Sequence, residues 1–220
     1  MILFLAAAVA AAAPDCPAAA TAEAHICLAL EASKSGDNAT AAEQFEKVAE
    51  ASVDGPGRPR ALAAAGNSWI AAGQPGKAAL ALDRALAGSG LKAEQRGEAL
   101  LDRARAAEAQ NDLKTARAKA DEAAQTIAGD PFLWYFSAAL AIREGDKAKA
   151  QSAISRALSL APTDASILFE AGHVAQFTGD DQAARDYWQR AAAAGPGGAV
   201  GKAAGEAISM LTPPPAGSSR

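Results

Sequence analysis

The sequence is poor in the residues that catalysis and metal binding draw on. Its 220 residues include two histidines and two cysteines, and aromatic residues make up 5% of the chain. His25 and His173 lie far apart, and Cys16 and Cys27 add no metal-ligand spacing, so no metal centre is expected. No Ser/His/Asp or Cys/His set stands out, and no glycine-rich phosphate loop follows a strand. The expectation is a protein that is not an enzyme and carries no cofactor. β-Branched residues are few, which argues against sheets. The 21 Lys and Arg and 25 Asp and Glu give a net charge of −4 and are interspersed, as on solvated helix faces. A nucleic-acid partner needs a basic stripe, and the sequence has none. Beyond the N-terminus there is no apolar run of about 20 residues, so no membrane span is expected.

What the chain does have is alanine, at more than a quarter of its residues. Alanine is the best helix former and lets helices approach closely, so the composition reads as all-α. Residues 130–164 then reveal a period. A shift of 34 places Trp134 on Leu168, Ala138 on Gly172 and Gly145-Asp146 on Gly179-Asp180. The same shift places Ala150 on Ala184, Ile154 on Trp188 and Ala157 on Ala191. A period of that length indicates stacked helical units rather than one closed core.

Physical chemistry accounts for one such unit. Asp130 is a good N-cap and Pro131 suits the first helical position. Gly145 can take the left-handed conformation that ends a helix, and Pro162 cannot continue the second one. Small residues at 138 and 150 allow close backbone approach. Further turns fall at Gly36-Asp37, Gly73-Gln74 and Asn111-Asp112, so that successive turns lie 37, 38, 34 and 34 residues apart. The surplus in the first two intervals sits at 52–59 and 88–95, where either a loop bulges or a helix gains a turn. The five units span about 20–51, 59–87, 97–128, 130–164 and 165–194. In the first, His25 stands where an apolar residue is usual. The third is the weakest, with Arg103 and Ala120 at packing positions.

This bulky-small, Gly-Asp, small-aromatic-small pattern resembles tetratricopeptide (TPR) repeats over about 175 residues. The resemblance implies a right-handed α-solenoid whose first helices line a concave groove and bind a protein or peptide partner. The array is expected over 20–198. A short helix at 199–211, with Ile208, Met210 and Leu211 to bury, would cap it, and 212–220 reads as a Pro-rich disordered tail.

The stripe projected onto the groove is chemically divided. One half offers Asn67, Arg105 and Glu108. The other offers Phe132, Tyr135, Phe169 and His173, a mixture that peptide interfaces favour. The alternative is that these aromatics seal junctions between units and that His173 is a surface imidazole. Some members of the family clamp a carboxylate with Lys, Asn and Arg, and Asn67 and Arg105 resemble part of that set. The lysines are missing, with Ile26, Ala63 and Leu101 in comparable places, so that clamp is not expected.

Residues 1–13 form an uncharged apolar run ending in small residues, which reads as a secretory signal, followed by a linker at 14–19. The alternative is an alanine-rich first helix. Export to the periplasm or outside the cell would allow Cys16 and Cys27 to form a disulfide; otherwise Cys27 is a small buried residue and Cys16 a free thiol. The functional expectation is an exported scaffold that binds a peptide segment, in an envelope-assembly role. A repeat protein that self-associates without a peptide ligand is the alternative. The sequence leaves the oligomeric state open.

Overall fold

The computed structural model describes residues 16–17, 21–52 and 55–211. The expected signal at 1–13, most of the linker and the tail at 212–220 lie outside them. The described residues form eleven α-helices and no strand. They are α1 (Ala22–Ser35), α2 (Asn38–Ala51), α3 (Gly57–Ala71), α4 (Pro75–Ala87), α5 (Ala93–Ala109) and α6 (Leu113–Ala123). There follow α7 (Pro131–Glu144), α8 (Lys147–Leu160), α9 (Ala165–Thr178), α10 (Asp181–Ala194) and α11 (Ala199–Met210).

The turns fix this succession. Gly36, Gly73, Gly145 and Gly179 all have positive φ, and the third turn uses Asn111 at φ 61° instead. Asparagine is the side chain that best tolerates this region after glycine. Immediately after four of these turns an aspartate caps the second helix. Asp37, Asp112, Asp146 and Asp180 accept from the amides of Thr40, Thr115, Lys149 and Ala183. Hydrogen bonding with Thr40 and Thr115, through their side chains first and their amides second, holds Asp37 and Asp112 below the usual carboxylate range. Asp130 and Asp164 cap α7 and α9 in the same manner.

Small residues then bring the paired helices together. A Cβ on Gly66 would lie 2.4 Å from Leu82 Cγ, and one on Gly172 would lie 2.2 Å from Trp188 Nε1. The glycines are therefore the sockets into which the second helix drives its large side chain. The Trp188 indole N–H donates to Phe169 O at 3.0 Å, which removes the cost of burying it. The surplus near residue 90 goes into the helix rather than a loop, since α5 has 17 residues where α1, α7 and α9 have 14. Arg103 is not a packing defect: it reaches back to α4 and binds Asp83 at 2.8 Å. His25 bonds Gln44 at 2.8 Å in place of an apolar contact. Beyond α10, α11 packs on both α10 and α9 as the first helix of another unit would, burying Ala204 and covering the last core cluster. At the other end a disulfide joins Cys16 to Cys27 of α1, with Cα atoms 5.7 Å apart.

Candidate functional site

Successive first helices touch one another along the array, α3 with α5, α5 with α7, α7 with α9 and α9 with α11. No pair of second helices packs comparably, so the array is tighter on its first-helix side and curves around it. That side is the inner face, and its side chains make up the candidate site.

Between α3 and α5 the inner face is polar and internally satisfied. Asn67 donates from Nδ2 to Asp102 Oδ2 at 2.8 Å, and Arg105 donates to Asp102 Oδ1 at 2.9 Å. The two donors that resemble part of a carboxylate clamp thus already hold a carboxylate of the chain itself. The cavity beside them is lined by Arg60, Ala63, Asn67, Glu98 and Leu101, together with Asp102 and Phe45. Between α5 and α7, Arg143 binds the Glu108 carboxylate and donates to Glu108 O at 3.1 Å and to Asn111 Oδ1 at 2.8 Å. Asn111 therefore both makes the left-handed turn and ties two units together.

From α7 onwards the face becomes aromatic. Phe132 is 51% exposed, and its ring meets Tyr135 edge-on with centroids 6.5 Å apart. Tyr135 is half-buried between units. Burial first, and then the charge of Glu170, raise its phenol above the usual value, while Arg105 acts the other way. Phe169 and His173 stand differently. Their rings meet at 4.5 Å, and both contact Trp188, at 6.5 and 5.4 Å. Phe169 also packs into the cluster shared with α11. Burial lowers the pKa of the His173 imidazole.

A second inner-face cavity lies between α7 and α9, lined by Ala139, Ile142, Arg143, Glu170, His173, Gln176 and Phe177. Glu170 is only 8% exposed, and no side chain or amide among the described residues donates to it. Burial pushes its pKa up to about 7. The projected stripe did not include Asp102, Arg143 or Glu170, each adjacent to a residue that it did include. A sequence signal was available for Glu170, the one charged carboxylate in the otherwise apolar α9, but not for Asp102 or Arg143, which have charged neighbours at Arg103 and Glu144. The structure thus brings Asn67 and Arg105 together, brings Phe132 to Tyr135 and Phe169 to His173, and adds Glu170 between the two aromatic groups.

No known family model matches the sequence, and no curated protein matches it. Solved structures do match in fold. PilW, described as a widely conserved type IV pilus biogenesis factor, superposes with a TM-score of 0.71 at 18% identity, over 84% of this chain and 82% of that one. A MamA protein gives 0.62 at 18% identity, over 88% and 98%. YrrB, described as a TPR protein with an unusual peptide-binding site, gives 0.59 at 17% identity, over 85% and 93%. With its left-handed turns, small-residue sockets and curved inner face of first helices, this chain has the tetratricopeptide repeat fold.

Proposed function

We propose that the protein is an exported scaffold that binds a peptide segment of a partner along the inner face of its solenoid. The observation that carries this reading is the Phe132–Tyr135 pair. It presents a half-exposed aromatic surface at the start of α7, on the first helix that also lines the cavity containing Glu170. Aromatic anchors of this kind are what peptide interfaces use. An exported location is supported by the Cys16–Cys27 disulfide, which oxidising compartments favour. Among the described residues, no helix is long and apolar enough to cross a membrane. The likeness in fold to a pilus biogenesis factor supports a role in envelope assembly by analogy of fold only.

The test is capture of partners from envelope extract by the wild type and by the Phe132→Ala/Tyr135→Ala double variant. The reading expects bound partners to be lost from the variant while its helical circular dichroism is retained. An unchanged set of partners would overturn it. Exposed Ile26 and Leu30 on α1 and Met210 on α11 favour the second reading, self-association through the ends of the array. A mass by light scattering that stays monomeric as concentration rises removes that reading.

A further inference from the structure

The left-handed turn residue gives each unit a common origin, and from it two inner-face positions can be compared. Asp102 and Glu170 both lie nine residues before that turn, at Asn111 and Gly179 respectively. Arg105 and His173 both lie six residues before it. On the preceding first helix, Asn67 and Ala139 are again equivalent, each six residues before its own turn at Gly73 or Gly145. The slot that holds Asp102, Asn67 and Arg105 therefore holds Glu170, Ala139 and His173 two units later.

In the first slot the carboxylate receives two hydrogen bonds. In the second both donors are gone. Alanine at 139 has nothing to donate, and the His173 ring is turned edge-on to Phe169 and Trp188. Arg143 and Gln176 line the same cavity, but the Arg143 guanidinium is committed to Glu108 of α5 and to Asn111 in the turn after it, and no hydrogen bond joins the Gln176 amide to Glu170. Glu170, 8% exposed as a residue, is left without a donor, and its carboxylate oxygens reach solvent only through the cavity on the inner face. Burying such a group without a partner is costly, and supplying the donor from a ligand recovers that cost.

We infer that the cavity between α7 and α9 is a specificity pocket of the peptide groove, in which Glu170 receives the basic side chain of a lysine or arginine. The inference rests on the groove reading and names the chemistry of its ligand. Ala139, Ile142 and Phe177 supply apolar wall for the methylene stem of such a side chain, and the carboxylate takes its head. Burial keeps the empty pocket's carboxyl partly protonated near neutral pH, and an arriving cation ionises it. The other titratable groups around the pocket are Tyr135 and Arg143 on α7 and His173 on α9. None of them pairs with Glu170.

The experiment selects a random heptapeptide display library on the immobilised full-length protein, in parallel with Glu170→Gln, Ala139→Asn and Phe132→Ala/Tyr135→Ala. Glu170→Gln keeps size and hydrogen bonding but removes the charge. Ala139→Asn places in the second slot the donor that Asn67 provides in the first. The wild type is expected to enrich peptides with a fixed Lys or Arg among apolar residues. Their affinity should fall at least tenfold for both pocket variants, and a norleucine at the fixed position should lose as much. Wild-type peptides that show no basic preference, or that bind Glu170→Gln equally well, would overturn the pocket; if those peptides are still lost from the Phe132/Tyr135 variant, the groove stands. Recovery of no peptide by the wild type would overturn both.

Discussion

Single side chains decide the chemistry of the inner face, and Glu170 is the clearest case. Its carboxyl stands at about 7 in the folded chain, raised by burial from an ordinary 4.5. The folded state therefore binds the proton more tightly than the unfolded one, and stability falls as pH rises through this interval. His173, lowered by burial, has the opposite sign, and its contribution is complete once pH exceeds its ordinary 6.5. Between pH 6.5 and 8 the Glu170 effect is left by itself, and denaturant titrations should show a loss of about 1 kcal/mol. Glu170→Gln should flatten that dependence and be more stable than the wild type at pH 8. Gly172 is the second case. Helix propensity alone would favour alanine there by about 1 kcal/mol. The 2.2 Å approach to the Trp188 indole outweighs it, because that ring is itself buried and hydrogen-bonded. Gly172→Ala should lower stability by about 1–3 kcal/mol, read from the urea midpoint.

At the scale of elements, caps and turns explain why so much of the fold was legible. The aspartates at 130 and 164 and the glycines at 36, 73, 145 and 179 act through local backbone geometry, which sequence displays directly. Asp164 accepts from the amides of both Ser166 and Ile167, so Asp164→Ala should cost about 1 kcal/mol in the same titration. Inner-face chemistry was less legible because it depends on how one first helix sits against the next. A stripe drawn at fixed helical spacing includes Asn67, Arg105 and Tyr135, yet passes beside Asp102, Arg143 and Glu170. The turning of each unit on its neighbour brings those side chains inward. Phe169 and His173 are on the stripe, but contact with Trp188 of α10 was beyond what spacing alone could reveal. The surplus near residue 90 was visible as a number, while its destination, a longer α5, depended on packing. Gly97 there leaves room for Ile127, which lies beyond the end of α6.

Taken whole, the molecule is a stack in which each unit relies on its neighbours, closed at one end by α11. Where the inner face is tied by Arg143 to Glu108 and Asn111, units three and four are joined through side chains as well as apolar contact. Arg117 of α6 adds a second tie across the same junction, binding Glu144 at 2.7 Å and Ser137 O at 3.2 Å. Amide hydrogen exchange should accordingly be slowest in α5 to α10 and faster in α1, which does not pack comparably against α3. Arg143→Ala should speed exchange in α5 and α7 together, whereas a tie without mechanical effect would leave both unchanged.

The most direct test of the inner face as the binding site is site-specific photocrosslinking in envelope extract. One version of the protein carries a benzophenone side chain in place of exposed Phe132, and the other carries it in place of Leu80, exposed on the second helix α4. The account predicts that position 132 captures a partner of different mass from this chain and that position 80 captures none. Adducts formed only from position 80, or adducts at 132 that consist of a second copy of this chain, would contradict it.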